Sequence, residues 1–361
     1  MFCRHQVFSL TMKHTTLLHT WLALLCGTVA SARAQEVAYA FTNYAGLPGT
    51  AGTNDGPLVN ARFHNPAGLA VSPDGSLLVA DFLNHTVRRI SAAGVVTTFA
   101  GSPGHSGNVD GPAAIARFNQ PFFLAFDKAT NLYVSDLLNH SIRRITPAGQ
   151  VSTFVGGDGQ FNRPAGMAFD AGGNLYVADT ANHVIRVVTP GKVVVTLAGK
   201  VSDGGSSDGV AATAQFYFPS ALAVDAEANI YVSDSGNDTV RRITPVGIVS
   251  TLAGAALRKA SADGNGPAAR FYQPYGLSLD PKGNMIVADP GNHTIRRISP
   301  AGDVTTVGGL PGQEGSADGI GKSARFSNPS SLVFGAAGTL FISDPFNHRV
   351  TRGTPVDQSA K

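Results

Sequence analysis

Beyond its first 34 residues the sequence contains no cysteine, because both of its cysteines, Cys3 and Cys26, fall inside that stretch. Disulfides therefore do not hold the remaining chain together, even in an oxidising compartment that would permit them. Charge is scarce as well, with 14% Asp, Glu, Lys and Arg. Glu is scarcer still: only Glu36, Glu227 and Glu314 occur. No apolar run is long enough to span a bilayer, since Leu17 to Ala30 is short and interrupted by His19 and Thr20.

That N-terminal stretch reads as a secretory signal. Met12-Lys13-His14 supplies a basic start, an apolar segment follows, and Ala32-Arg33-Ala34 has the small-x-small form of a cleavage site. We expect residues 1–34 to be removed, giving a secreted or periplasmic chain that begins at Gln35 and carries no membrane span. Removal also takes away Arg4, Lys13 and Arg33. Of 27 Lys and Arg this leaves 24, against 24 Asp and Glu, so the net charge of +3 falls to zero. A neutral chain gives no electrostatic case for nucleic acid or an anionic membrane as partner.

What the chain has in quantity is repetition. Ala80-Asp81-Phe82-Leu83-Asn84-His85-Thr86-Val87-Arg88-Arg89-Ile90 returns five times, around Asp136, Asp179, Asp234, Asp289 and Asp344. The six Asp residues lie 55, 43, 55, 55 and 55 positions apart. A period of roughly 40–55 residues marks a repeat architecture. Each unit divides into four short β-branched runs bounded by Gly, Pro and Asp, as in Gly68–Ser72, Leu77–Ala80, Val87–Ile90 and Val95–Ala100. The second run is apolar at successive positions (Leu132-Tyr133-Val134), as expected of a strand covered on both faces. Four strands per unit suit the blades of a propeller.

Leu175-Tyr176-Val177-Ala178-Asp179 followed by Asn182-His183-Val184-Ile185-Arg186 resembles the NHL repeat family. The resemblance covers all six units, nearly the whole chain after residue 36. It implies an all-β fold: a six-bladed β-propeller of four-stranded antiparallel blades over residues 35–353. Blades are expected to start near 66, 121, 164, 219, 274 and 329, with a tail at 354–361. The sixth unit lacks a fourth strand, and residues 37–46 resemble one, so the N-terminal strand is expected to complete the last blade and remove an open edge. The family includes binding modules, sensor domains and lyases, so function rests on the site.

The repeated Asp81, Asp136, Asp179, Asp234, Asp289 and Asp344 and their partners Asn84, Asn139, Asn182, Asn237, Asn292 and Asn347 read as structural, bonding turn amides. His85, His140, His183, His293, His348 and, in the fourth unit, Asp238 share one position, expected to pack near the turn. A metal needs three or four such ligands converging on one ion, which equivalent positions around a ring do not do. Gluconolactonase-type propellers hold calcium with Glu, Asn and Asp at the inner strand starts. Here those starts are Pro66-Ala67-Gly68, Pro121-Phe122-Phe123, Pro164-Ala165-Gly166, Pro219-Ser220-Ala221, Pro274-Tyr275-Gly276 and Pro329-Ser330-Ser331, with neither acid nor Asn.

Variation between units points elsewhere. The pair after each Asp is bulky in units one, two and six, and small or containing Gly in the others. Phe82, Leu83, Phe122, Phe123, Leu137, Leu138 and Phe346 are therefore the candidate ligand-binding residues, expected to form an exposed apolar patch across blades six, one and two. The expected function is a non-enzymatic, monomeric binding module for a protein, peptide or glycan, with no cofactor and no metal. The alternative is a metal-dependent hydrolase or lyase, of gluconolactonase-like or amidating-lyase-like type, centred in the channel.

Overall fold

The computed structural model describes residues 37–356. The expected signal segment at 1–34, both cysteines and the last five residues lie outside them. Six antiparallel sheets follow one another along the chain, one per repeat, as the blades of a propeller. In blade one the innermost strand Pro66–Val71 pairs with Leu77–Asp81, which pairs with Thr86–Ile90, which pairs with Val95–Ala100. Apolar residues from facing sheets fill the space between blades: Leu78, Ala80 and Val87 of blade one share a buried cluster with Leu124, Leu132 and Val134 of blade two.

Five blades carry more than the four strands expected. The connection before each of them adds a two-residue strand to its outer side, for example Gly56–Pro57 against Val95–Val96. Blade three has four strands, because its connection from Gly156 to Pro164 is too short to supply the fifth. The Ala-rich stretch of the connection forms a 3₁₀ turn before blades five and six, at Gly266–Ala268 and Gly321–Ser323. In every unit the Phe that follows is buried: Phe63, Phe118, Phe161, Phe216, Phe271 and Phe326.

The ring closes through the N-terminus. Ala38–Ala45 pairs with Arg349–Val356, with Phe41 opposite Gly353, and on its other side with Gly319 and Ile320. It occupies the outer-strand position of blade six, down to the same irregularity in register. Asn43 donates its N–H to Asp318 as Thr98 donates to Asp55 in blade one. Phe41 is buried edge-on against Phe326. The last strand runs to Val356, three residues into the segment expected as a tail.

The innermost strands crowd the axis unevenly. Gly68, Gly166 and Gly276 alternate around the ring with Phe123, Ala221 and Ser331. A Cβ on Gly68 would overlap the Phe122 carbonyl oxygen, and one on Gly276 would overlap that of Ser330. The missing side chains let every second pair of inner strands approach closely. This close approach brings Phe122 to the axis.

Candidate functional site at the channel mouth

Each Asp-x-x-Asn-His segment forms a single 3₁₀ turn, such as Phe82–Asn84, ended by a residue in the left-handed region, His85 at φ 58°. Expected to bond amides of its turn, the Asp accepts the Asn side-chain amide but no backbone N–H of that turn, and its other oxygen reaches back to the preceding connection. Asp81 Oδ1 accepts the N–H of His64 at 2.7 Å, while Oδ2 accepts the Asn84 amide and Arg88 Nη1, each at 2.8 Å. The same corner is built on Asp136, Asp179, Asp234, Asp289 and Asp344. The Asn amide spends its second donor on a loop carbonyl, Asn84 on Gly52 and Asn139 on Gly107. Arg88 is fully buried, lies over Phe63 and also pairs with Asp55. Burial pushes the carboxyls of Asp81, Asp136, Asp234, Asp289 and Asp344 up to about 6, against the pull of the guanidinium and the hydrogen bonds donated to them.

Two blades depart from this corner. In blade three Arg186 bonds Asp179 and the Thr196 hydroxyl, while the Asp of the shortened connection, Asp158, accepts from Gln160 instead. In blade six the Arg sits two positions earlier, at Arg349. It still reaches Asp344, because alternate residues of a strand share a face.

The repeated His does more than pack near the turn. His85 Nδ1 accepts the N–H of Gln120, at the start of the next blade, at 3.1 Å. His140 does the same for Arg163, His183 for Phe218, His293 for Asn328, and His348 for Asn65 across the closure of the ring. Asp238 fills the role with Oδ1, accepting from Gln273 at 2.8 Å. An acceptor is all the position requires, which explains the exchange of His for Asp. Burial lowers the pKa of His85, His183 and His348, so the neutral, accepting ring is the favoured form.

These bonds fix the residues that precede the six blade-starting prolines, all of them at positive φ: Asn65, Gln120, Arg163, Phe218, Gln273 and Asn328. Together with the residues after the prolines and after the buried Asp residues, they ring the mouth of the central channel. There Asn65, Phe218, Gln273 and Asn328, with neighbours from every blade, enclose a cavity of about 470 Å³; Gln120 and Arg163 do not line it. Its floor is aromatic. Phe122 of blade two meets Tyr275 of blade five, across the axis, edge-to-face with ring centroids 5.7 Å apart. Phe82 packs on Phe122 from one side at 5.3 Å, and Phe123 lies against both rings on the side of the lower channel. The mouth is thus a blind cup. Phe346 and Phe218 stand on its wall, 56% and 41% exposed.

No Asp, Glu, Lys, Arg or His lines the cup. Several of its polar groups hold the fold: Thr180 Oγ1 bonds the Pro219 carbonyl, and Ser235 Oγ bonds that of Pro274 and the Ser220 hydroxyl. The Tyr275 hydroxyl has no hydrogen-bond partner among the described residues, and burial pushes its pKa up.

The seven residues singled out in the sequence do not form one exposed patch. Phe346 is exposed, Phe123 is buried, and Phe82, Leu83, Phe122, Leu137 and Leu138 are half-buried. Phe82, Phe122 and Phe346 come together at the cup, whereas Leu83, Phe123, Leu137 and Leu138 do not line it. Leu83, Leu138 and Phe346 share one turn position and all bond back to the preceding connection through their N–H groups, at His64, Asn119 and Ser327, yet of these three Phe346 alone lines the cup. In blades four and five the equivalent positions are Gly236 and Gly291, where a Cβ would overlap the rings of Tyr217 and Tyr272. The bulk at this turn is supplied by one element or the other, so its size reports packing. Phe218, Tyr275 and the amides of Asn65, Gln273 and Asn328 were missed in the sequence. Their signal was available: the residues on either side of each blade-starting Pro differ in kind from unit to unit.

The NHL repeat family model matches residues 63–90 and 161–188, the blade-one and blade-three copies of the corner just described. The chain is an NHL-repeat propeller. It is similar to NHL repeat-containing protein 2 of Bos taurus, 33% identical over 315 residues, which covers 83% of this chain and 40% of that protein. The chain spans 40% or less of the length of the first curated relatives it matches. Among solved structures, the NHL propeller superposes on an auxiliary nutrient binding protein of Bacteroides ovatus with a TM-score of 0.70 at 17% identity, covering 89% of this chain and 78% of the other. Virginiamycin B lyase of Staphylococcus aureus gives 0.54 at 15% identity, covering 89% of each. Likeness at this level of identity shows the fold alone. No helix among the described residues is long and apolar enough to cross a membrane.

Proposed function

We propose that this NHL propeller is an exported, non-enzymatic binding module that seats a protein, peptide or glycan ligand in the mouth of its channel. The observation that carries this reading is the blind aromatic cup, closed by Phe122 against Tyr275. Concave, largely apolar sites with a few convergent polar groups are the usual form of ligand pockets, roughly 300–1,000 Å³ in size. General acid–base catalysis needs a group that titrates near the working pH, and the lining supplies none. The metal-dependent hydrolase or lyase remains the competing reading. It needs converging ligands, and among the described residues no group of three His, Cys, Asp or Glu could hold an ion. Five repeated His rings already spend Nδ1 on the next blade.

The test is capture of ligands from culture medium and cell extract by the purified chain and by a Phe82→Ser, Phe346→Ser double variant, each followed by identification of what is retained. We expect the variant to lose the retained ligand and to melt close to the parent. Capture that ignores the double substitution overturns the reading. A tightly bound metal ion in stoichiometric amount would favour the hydrolase or lyase.

A further inference from the structure

We propose that the cup takes neutral carbohydrate: the uncharged end of an oligosaccharide, with one sugar ring lying on the aromatic floor. This inference rests on the binding reading above and narrows it to one ligand class. Three features of the mouth converge on it.

The first is the pairing of ring faces with neutral hydrogen-bonding groups. Phe82, Phe122 and Tyr275 offer flat apolar surface, and the amides of Asn65, Gln273 and Asn328 stand around it. No side-chain partner holds these three amides among the described residues. An amide both donates and accepts, as a sugar hydroxyl does, so one amide can serve two neighbouring hydroxyls. A sugar ring presents C–H groups on its faces and hydroxyls around its edge, which matches a flat apolar floor with amides at the side.

The second is the Tyr275 hydroxyl, which has no hydrogen-bond partner among the described residues. Solvent reaches this hydroxyl, and a ligand that displaces that water without replacing its hydrogen bond loses affinity, so a ligand that bonds the hydroxyl is selected over one that does not. A wholly apolar ligand would leave this hydroxyl and the three amides unmet.

The third is the absence of charge. Lysine, arginine or acidic side chains of a peptide, or its termini, would lose water in the cup and find no counter-charge there. Uronic acids and phosphorylated sugars fail for the same reason. Arg163, the one charged residue among those preceding the blade-starting prolines, does not line the cavity.

The geometry also favours preorganised recognition. Asn65, Gln273 and Asn328 are held at φ 52°, 56° and 61° by their interblade hydrogen bonds, so little backbone freedom remains to be lost on binding. Because Phe122 and Tyr275 block the axis, a chain can enter only by its end and cannot thread through the ring.

Isothermal titration of the purified chain with maltotetraose, cellotetraose, mannotetraose, xylotetraose, galactotetraose and tetra-N-acetylchitotetraose tests the proposal, with trigalacturonate as the anionic control. We expect at least one neutral tetrasaccharide to bind and trigalacturonate not to bind. We expect Tyr275→Phe, which keeps the ring contacts, to weaken the interaction about tenfold without altering the melting temperature. Binding by none of the neutral sugars, equal binding of trigalacturonate, or affinity indifferent to Tyr275→Phe each overturns it. If the double variant loses a captured ligand that none of the sugars displaces, the carbohydrate class is wrong and the binding reading stands. If capture ignores the double variant, both fall.

Discussion

Behind the channel mouth, every blade builds one corner from a buried Asp, an Asn and an Arg, and hands one acceptor to the next blade. At the mouth itself the six equivalent positions differ: Asn65, Gln120, Arg163, Phe218, Gln273 and Asn328. The two regions touch, since the backbone N–H of each mouth residue is the donor to the corner's His or Asp. What every blade needs, a strand end tied to its neighbour, is answered six times by nearly the same residues. What the ring needs once, an asymmetric cup, is made from residues that break the repeat. Recurrence in this chain therefore marks backbone demand, and departures from recurrence mark either compensating bulk or the site.

The largest effect should come from breaking the ring where the frame depends on one strand. A chain starting at Leu47 loses Tyr39 and Phe41 from the core and leaves the edge of Arg349–Val356 unpaired. Removing a single buried aromatic side chain costs about 3–5 kcal/mol, so urea denaturation should show most of the cooperative transition gone relative to a chain that starts at Gln35. Equal thermostability of the two would refute this closure as a stabilising element.

Next in size is the corner. Arg88→Ala leaves the Asp81 carboxylate buried with its strongest partner removed, which should cost about 3–5 kcal/mol. The same change at Arg186, which is 15% exposed and has no second Asp, should cost clearly less. Similar losses at the two positions would show that the second ion pair contributes nothing.

Gly68→Ala joins the two regions, since it forces apart the inner strands of blades one and two where Phe122 is set. We expect a loss of about 1–3 kcal/mol together with weakened ligand capture, read by denaturation and titration on the same sample. Phe346→Ser, at an exposed wall position, should stay within about 0.5 kcal/mol of the parent while still weakening capture. A large stability loss there would move Phe346 from the site into the frame.

The smallest effect should be that of pH on the His seams. His85, His183 and His348 have lowered pKa values in the folded chain, so the unfolded chain binds more protons in that range. Their contribution is present above the unfolded value of roughly 6.5 and is lost as pH falls through the lower folded values. The buried Asp residues act in the opposite sense, because a carboxyl raised to about 6 binds protons more readily when folded. The two are separated by His183→Asn, which keeps an acceptor that does not titrate. Melting curves at pH 7.5 and 5.5 should show a smaller acid loss in this variant than in the parent. An identical pH dependence would mean that the His183 seam does not sense protonation.

Much of this was legible in the residues. The spacing of the Asp residues, the apolar second strands and the unmatched N-terminal Ala40-Phe41-Thr42 specified the blades and the closing strand, because each strand needs its own local hydrogen bonding and burial, and these are written locally. Tertiary structure alone decided how neighbouring blades are tied and where the cup lies. The link between His85 and Gln120 spans 35 positions and depends on a backbone N–H, which leaves no side-chain signature. Phe122 and Tyr275 lie 153 positions apart in sequence and meet only because a closed ring places blades two and five across one axis. Whether the second residue of the 3₁₀ turn lines the cup, as Phe346 does and Leu83 does not although both bond back to their own connections, is decided by where each blade sits in the closed ring.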